Sequence, residues 1–529
     1  MSNRLRRLPV VLSGVLGALL CASGPSALAG SHVATTAAPD AARPVIVTGV
    51  PATVRRTARQ LSATDGFHRL PVIHGYAADL TSAQVRDLTG QGLHVTADAR
   101  VSVSDADWGS GSHDAAAVYP TVDGAPSAWA SGLDGHGVGV AVIDTGISTS
   151  GDLAGRVIDG YDFSGEGSAT TDSFGHGTFV AGTIAGSGAA SGHAIEGVAP
   201  GVDLISLKVA GANGSSDVIR VITAIQWAVN HAAKDNIRVL NLSLGTDSTQ
   251  SWRIDPLDAA VEGAWRSGMV VTVAAGNGGA AGISKPGDDP YVVTVGATDD
   301  ATTPTTSDDT VAPFSSTGPT ATGVAKPDLV APGAHVVSSR APGSTVDNQF
   351  PAARIDPSYF RGSGTSFSAP QVAGAAALLL QQRPDLTNNQ VKALLVGTAS
   401  ALPGVPATAQ GAGELDINAL IAAPTGGSAN QGLGRSDGSG SAVGSEGSLV
   451  AAGSPSSGDS VAWNSSAWNS SAWSSSAWNS AAWNSSAWNS SAWNSSAWNS
   501  SAWNSTAWNS TAWNAGGWAS ASFWSTAWN

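Results

Sequence analysis

The stretch Gly364-Thr-Ser-Phe-Ser-Ala-Pro370 precedes a nearly all-apolar segment that runs from Val372 to Leu380. Pro370 is tolerated only in the first turn of a helix, where its missing N–H leaves no intrahelical bond unmade. The pattern therefore predicts a buried helix that carries the Ser366 hydroxyl at its N-terminal end, where unpaired N–H groups favour developing negative charge. The alternative role for Ser366 is that of an N-cap, although a second serine two positions later makes this unnecessary.

Short apolar runs rich in Val and Ile precede that helix and indicate strands covered on both faces. They comprise Val138 to Ile143, Leu204 to Val209, Ile237 to Leu244, Val270 to Ala275 and Val292 to Val295. Helical patterns alternate with them, over Ser216 to Ala233, Asp255 to Arg266 and Ser366 to Gln382. This alternation predicts an α/β fold over residues 110–422, a doubly wound and mostly parallel sheet with helices on both faces. Active residues of such a sheet gather at the carboxyl ends of its strands.

Three further segments place polar side chains at strand or helix ends. Asp144 follows a strand in Val142-Ile-Asp-Thr-Gly146, His176 lies between two glycines, and Asn277 ends Ala274-Ala-Gly-Asn277. Each alone has a structural interpretation, as a turn-capping Asp, a structural His or an Asn in a left-handed turn. Together with Ser366 they supply the acid, base, amide donor and hydroxyl that acyl transfer by an activated serine requires.

These motifs resemble the subtilisin-like serine endopeptidases, in the chain order Asp, His, Asn, Ser and in the sequences Asp-Thr-Gly, Gly-His-Gly-Thr-Phe-Val-Ala-Gly and Gly-Thr-Ser-Phe-Ser-Ala-Pro. The resemblance implies a charge-relay triad of Asp144, His176 and Ser366. It also implies that Asn277 and the backbone N–H of Ser366 bind the oxyanion of the tetrahedral intermediate. The expected reaction is hydrolysis of peptide bonds in proteins through an acyl-enzyme intermediate.

The same resemblance identifies Asn241-Leu-Ser-Leu-Gly245 as the family's substrate-binding strand. An extended substrate would pair its backbone beside Ser243, Leu244 and Gly245. The chemistry requires no cofactor, and no residue is assigned as a metal ligand. The loop from Ser187 to Glu196 does not match the family's usual calcium loop. A structural calcium elsewhere is compatible with the sequence but cannot be assigned to residues.

Residues 1–29 have the pattern of a secretion signal. Basic residues precede an apolar run from Leu8 to Leu20, and Ala27-Leu28-Ala29 provides a small-x-small cleavage site. The run is too short to span a bilayer comfortably, so the sequence predicts a secreted, extracellular product without a membrane span. Cys21 is the only cysteine of the chain and lies inside this segment, so the mature protein would have no disulfide.

Residues 43–104 alternate strand-like and helical patterns and predict a small α+β domain. Thr81 and Gln84 have the spacing of a capping box at its second helix, and Thr387 and Gln390 repeat that spacing near the end of the sheet region. The position of this domain and the family resemblance imply a propeptide that acts as an intramolecular inhibitor and is cleaved somewhere after Val103. The enzyme would then be made as a zymogen. A net charge of −14 at pH 7 argues against a nucleic-acid partner.

Two segments of biased composition follow residue 422. Residues 423–460 are rich in Gly and Ser and predict a flexible linker. Residues 461–529 repeat Ala-Trp-Asn-Ser-Ser, with a Trp at every fifth position from Trp463 through Trp518. Neither a helix nor a strand would gather these rings on one face. The open interpretations are disorder, a solenoid, and a surface whose indoles stack on cell-wall sugars or self-associate, retaining the protein at the cell surface.

Three hypotheses of function remain at this level. The chain is a secreted serine endopeptidase, a triad-bearing but inactive binding protein, or a surface adhesion protein whose purpose lies in the Trp repeats. The complete set of Asp144, His176, Asn277 and Ser366 favours the first hypothesis over the second.

Overall fold

The computed structural model describes residues 41–103, 107–108, 117–246, 248 and 250–440. The predicted secretion signal, the Trp repeats and residues 441–460 of the predicted linker lie outside the described residues. The strands are β1 (Arg43–Thr48), β2 (His68–Leu70), β3 (Gly75–Leu80), β4 (His94–Ala97), β5 (Arg100–Val103), β6 (Asp107–Trp108), β7 (Gly139–Asp144), β8 (Val157–Asp162), β9 (Asp203–Lys208), β10 (Ser215–Asp217), β11 (Ile237–Leu242), β12 (Leu244–Gly245), β13 (Val270–Ala274), β14 (Val293–Asp299), β15 (Thr310–Val311), β16 (Leu329–Pro332), β17 (Val336–Ser339) and β18 (Tyr359–Ser363). The helices are α1 (Pro51–Gln60), α2 (Ser82–Gly90), α3 (Tyr119–Val122), α4 (Ala125–Ala130), α5 (His176–Ala185), α6 (Val218–His231), α7 (Pro256–Arg266), α8 (Thr345–Gln349), α9 (Thr365–Gln382), α10 (Asn388–Thr398), α11 (Ala407–Gln410) and α12 (Ile417–Ala422).

The central domain, described over residues 117–422, is built on a mostly parallel sheet, as the alternating pattern predicts. Its strand order is β15-β14-β13-β11-β7-β9-β8, and β16 also pairs with β14. The described pairings are parallel except for that of β15 with β14. Every residue of β7 and β13 is buried, because helices cover both faces of the sheet. Helix α9 is buried from residue 365 to residue 380 and contacts β13, β14 and β11.

The predicted strand from Ile237 to Leu244 ends in the structure at Leu242, and a short strand follows at Leu244–Gly245. Ser243 lies between the two strands, and its hydroxyl donates to the carbonyl oxygen of Ser366, 2.8 Å away. The interruption therefore joins the central sheet to the start of α9 and directs β12 out of the sheet.

The N-terminal domain, residues 43–103, consists of an antiparallel sheet in the order β2-β3-β1-β4 with α1 and α2, followed by strand β5. The side chains of strand β1 pack into two different hydrophobic cores, one on each face of the sheet. Val45 and Val47 lie in the core of this domain, whereas Ile46 lies in the large core that it shares with the central domain. The alternation of side chains along a strand requires this division. The connection Pro71–Ile73 contacts α6 and α7, and the N–H of Val72 donates to Oε1 of Gln226 at 2.5 Å.

Both capping boxes occur as the sequence predicts. At α2 the hydroxyl of Thr81 accepts from the N–H of Gln84, whose side chain accepts from the N–H of Thr81. The same reciprocal pair forms between Thr387 and Gln390 at α10. None of the helices in the described ranges is long and apolar enough to cross a membrane.

The segment 423–440, which its composition assigns to a flexible linker, follows the surface of the folded protein. The N–H of Ala429 donates to the carbonyl of Asn389 at 2.9 Å, and the amide of Asn430 donates to the carbonyl of Tyr291 at 2.9 Å. Ser436, Gly438 and the last described residue, at 440, are buried. Small and polar residues form this segment because their backbone groups, rather than apolar side chains, make its contacts.

Candidate active site

Asp144 and His176 come from adjoining ends of two elements. Asp144 is the last residue of β7 and His176 the first residue of α5, and both are buried. Oδ1 of Asp144 lies 2.8 Å from Nδ1 of His176. The same oxygen accepts from the N–H of Thr145 at 2.8 Å, which fixes the carboxylate. A carboxylate held at Nδ1 directs Nε2 of the imidazole to the opposite side, where it can exchange a proton with a hydroxyl.

Asp172 positions the start of α5 and is a residue that the sequence analysis missed. Its carboxylate accepts from the N–H groups of Gly175 (2.7 Å) and Thr178 (2.8 Å) and from the hydroxyl of Thr145 (2.8 Å). Burial raises the pKa of Asp172. These bonds tie the turn after Asp144 to the helix that carries His176. An aspartate in a polar stretch before a Gly-His-Gly motif gives no sequence signal for this role.

The glycine after His176 lets α5 approach the turn after Asp144. A Cβ built on Gly177 would lie 2.2 Å from the carbonyl oxygen of Gly146, closer than any real contact. The N–H of Gly177 donates to the hydroxyl of Thr145 at 2.8 Å. Gly177 is therefore required by the close packing of backbone on backbone that brings the carboxylate to the imidazole.

Ser366 is the second residue of α9, and Gly364 occupies the N-cap position. The N-cap alternative for Ser366 is therefore wrong, because the helix begins one residue before it. Its hydroxyl donates to the carbonyl of Ser243 at 3.1 Å. The ring of the next residue, Phe367, lies 5.4 Å from the imidazole of His176, centroid to centroid. The structure thus places the first turn of α9 beside His176 and keeps the hydroxyl at a helix N-terminus.

Asn277 lies on the loop after β13 and faces the same turn of α9. Its Oδ1 accepts from the N–H of Thr365 at 2.9 Å and from the hydroxyl of Thr365 at 3.0 Å. The N–H of Gly276 donates to that hydroxyl at 3.1 Å. Because the carboxamide oxygen faces Thr365, its NH₂ group is turned to the other side. An amide donor oriented in this way, one residue from Ser366, can stabilise an oxyanion.

Of the predicted substrate-binding residues Ser243 to Gly245, the last two pair with a strand of the same chain. Strand β5 lies between β10 and β12 and pairs antiparallel with both. Ser102 is opposite both Ser215 and Gly245, and Val103 is opposite Leu244. The side chain of Val101 is fully buried in the shared core. The predicted pairing of a substrate beside Ser243 to Gly245 stays a prediction. The sequence analysis missed β10, because three polar residues, Ser-Ser-Asp, give no strand signal.

The chain after residues 104–106 contacts β18 and the first turn of α9. Strand β6 pairs with β18, with Ser363 opposite Asp107. The ring of Trp108 lies 5.3 Å from that of Phe367 and 5.4 Å from that of Phe179. The described residues on both sides of 104–106 therefore contact segments next to Ser366.

In the part of the chain that the structure describes, no three His, Cys, Asp or Glu side chains are grouped so that they could hold a metal ion. In the loop from Ser187 to Glu196, Nδ1 of His193 lies 2.6 Å from Oε1 of Glu196. No residue is assigned to calcium, which stays as the sequence analysis left it.

Comparisons with known proteins show which family and which relatives this chain resembles. A model described as the subtilase family matches residues 135–434. The serine protease AprX of Bacillus subtilis is 45% identical over 271 residues, which cover 50% of this chain and 61% of AprX. Subtilisin Savinase of Lederbergia lenta is 40% identical over 278 residues, 53% of this chain and 89% of Savinase. An alkaline protease of Shouchella clausii is 40% identical over 278 residues, 63% of its length. The chain thus spans less than two thirds of AprX and of the alkaline protease.

Proposed function

The chain belongs to the subtilase family of serine endopeptidases, and we propose that it is an active peptidase that hydrolyses peptide bonds in proteins with a triad of Asp144, His176 and Ser366. The observation that carries the proposal is the buried contact of 2.8 Å between Oδ1 of Asp144 and Nδ1 of His176, beside the helix turn that presents the Ser366 hydroxyl. The intact arrangement favours a working enzyme over an inactive binding protein.

The proposed mechanism follows from the roles of these atoms. The hydroxyl of Ser366 attacks the scissile carbonyl while His176 accepts its proton, and Asp144 holds the imidazole tautomer and stabilises the imidazolium. The amide of Asn277 and the N–H of Ser366 bind the oxyanion. His176 then donates the proton to the leaving amine, and the C–N bond breaks to give an acyl-enzyme. Water attacks this ester with His176 as base, which releases the acid and restores Ser366. No cofactor takes part.

We propose that the N-terminal domain is an inhibitory propeptide and that the chain is made as a zymogen. Strand β5 supports this, because it fills the place between β10 and β12 where an extended peptide would pair. A substrate would bind by the same backbone pairing to Leu244 and Gly245, with Ser243 next to the nucleophile. The N-terminal domain must leave before a substrate can occupy this cleft.

Export and the role of the tail rest on sequence patterns. The basic, apolar and small-x-small order over residues 1–29 supports secretion. We propose that the Trp repeats of residues 461–529 bind cell-wall sugars by stacking and retain the enzyme at the cell surface. A sedimentation assay with insoluble cell wall, comparing the full chain with one that ends at residue 460, tests this. Equal sedimentation of the two proteins would contradict it.

The triad is tested by a fluorophosphonate probe, which reacts only with an activated serine. After processing, mass spectrometry should find one adduct on Ser366 and none in the His176→Ala variant. Ser368→Ala is the matched control, because it removes a buried hydroxyl of the same helix that donates to the carbonyl of Pro332 and should leave labelling intact. A processed, folded protein without an adduct would show that the chain is an inactive member of its family.

A further inference from the structure

We propose that residues 436–440, here called the strap, bind the N-terminal domain to the central domain and so slow its release after cleavage. The inference rests on the proposed function of that domain as an inhibitor and identifies a second contact that holds it. Burial alternates along the strap: Ser436, Gly438 and Gly440 are buried, Asp437 is exposed and Ser439 is intermediate. One side of the segment therefore lies against protein along its whole length.

The strap is fixed to the central domain at the start of α7. The N–H of Asp437 donates to the carbonyl of Arg253 at 3.0 Å, and the N–H of Gly440 donates to the carbonyl of Ile254 at 2.7 Å. The N–H of Ser436 donates to Oε1 of the buried Glu262 at 2.8 Å. Backbone bonds to two successive carbonyls together with a bond to a buried carboxylate set the register of the segment.

The carbonyl groups of two of the buried strap residues, Gly438 and Gly440, accept bonds from the N-terminal domain. The hydroxyl of Thr48, the last residue of β1, donates to the carbonyl of Gly438 at 2.6 Å. The hydroxyl of Thr96, in the adjacent strand β4, donates to the carbonyl of Gly440. Thr48 and Thr96 are 1% and 4% exposed, so both bonds are shielded from water. Neither donor belongs to β5, the strand that pairs with β10 and β12.

Gly438 is the point where both domains meet. A Cβ there would lie 3.3 Å from Cβ of Ala259 on α7 and 3.6 Å from Cγ2 of Thr48. Its φ of 61° is in the left-handed region, which glycine adopts without strain. Cleavage after Val103 cuts the covalent link to the central domain but leaves these contacts unchanged. The strap then acts as a clamp on a domain that is held by noncovalent contacts alone.

The release rate is the quantity that the strap controls. Replacing a buried threonine by valine keeps its shape but leaves a strap carbonyl without its donor, which costs about a fivefold change in the equilibrium for each bond. We expect Thr48→Val combined with Thr96→Val to shorten the delay between chain cleavage and the appearance of peptidase activity about 25-fold. The rate of cleavage itself should not change, because neither residue touches the cleft.

The experiment follows the full chain by gel for cleavage and with a chromogenic peptide for activity. Thr89→Val is the matched control, an exposed threonine of the same domain whose hydroxyl bonds within α2, to the carbonyl of Val85. On the strap itself, Gly438→Val should shorten the delay, whereas Gly432→Val, at a similar φ of 71° with no neighbour within 4 Å, should not. An unchanged delay in both the double threonine variant and Gly438→Val would contradict the proposal that the strap slows release of the N-terminal domain.

A second measurement separates the strap from the proposed peptidase function. In full-length Ser366→Ala, which cannot cleave itself, hydrogen exchange should show protected N–H groups at Asp437 and Gly440. Thr48→Val with Thr96→Val should lower the protection of β1 and β4 in that background. Normal protection in the double variant would refute the proposed role of the strap and leave the proposed peptidase function unaffected. A response in exchange, in a protein whose wild-type form neither cleaves itself nor hydrolyses peptide, would refute the peptidase while the strap stands.

Discussion

Asp98 should make the binding of the N-terminal domain depend on pH. This carboxylate accepts from the N–H of Ile219 at 3.1 Å, at the start of α6, where Asp217 is already the N-cap. Burial, and then the negative charge of Asp217, raise the pKa of Asp98 to about 8, against hydrogen bonds from the N–H groups of Ile219 and Ala99 and the charge of Arg220. Asp98 of the N-terminal domain and Asp217 of the central domain thus both accept hydrogen bonds at the N-terminus of α6.

The sign follows from proton linkage. Once the N-terminal domain is released, Asp98 has an ordinary pKa near 3.8, whereas in the complex its pKa is about 8, so the complex binds more protons. Affinity is therefore fully present below about pH 4 and is lost as the pH rises from there to about 8, by at most about tenfold per pH unit. Above that range it is constant. Asp98→Asn keeps an acceptor for Ile219 and is neutral at every pH, so it should remove the slope.

The assay is the rate at which activity appears in the cleaved full chain between about pH 5 and pH 9, divided by the activity of the fully released enzyme at each pH. Wild-type release should accelerate with pH, and Asp98→Asn should be slow and nearly flat. Asp65→Asn, which changes an exposed aspartate of the same domain, is the control and should follow the wild type. A flat wild-type profile, or an unchanged slope in Asp98→Asn, would refute the reasoning.

Three further predictions concern the central domain. Asn277→Ala should lower kcat about 10²–10³-fold with little change in KM, a range known from the corresponding donor in a subtilisin rather than worked out from this structure; a loss below tenfold would remove Asn277 from the oxyanion site. Lys285→Met in the Ser366→Ala background should lower the free energy of unfolding in urea by about 3–5 kcal/mol. The reason is that the buried carboxylates of Asp258 and Asp288, each 2.7 Å from Nζ of Lys285, lose their partner. A change under about 1 kcal/mol would contradict this. Gly177→Ala should reduce activity strongly by displacing α5, whereas Gly397→Ala, with no neighbour within 4 Å, should not; equal activities would show that α5 tolerates the side chain.

Local sequence signals predicted the structural features that depend on residues close together in the chain. The capping boxes at Thr81 and Thr387 formed as expected, because their hydrogen bonds join residues three apart in the chain. The strand patterns found five strands of the sheet, β7, β9, β11, β13 and β14, to within a residue or two at most ends, since burial on both faces requires continuous apolar runs. They missed β8, β15 and β16. The candidate residues lie at the strand and helix ends where the fold concentrates reactive groups.

Other features have no local signal. Strand β10 is Ser-Ser-Asp and becomes a strand only because β5 lies beside it. Asp172 acts through the hydroxyl of Thr145 and the N–H of Thr178, residues that the fold brings together. The strap was assigned to a flexible linker because its composition is small and polar, and its partners Thr48 and Thr96 lie 390 and 344 positions away.

The amino-acid sequence by itself determined the identity of the reacting groups, the periodicity that builds the sheet and the family to which the motifs point. The tertiary structure alone decided which backbone fills the cleft, which carboxylate fixes the imidazole-bearing helix and where residues 436–440 are bound. The physical reason is that hydrogen bonds between distant segments depend on the position and direction of polar atoms, which the composition of either segment does not specify. The periodicity of apolar residues, in contrast, depends only on the order of neighbouring residues and can be read from the sequence.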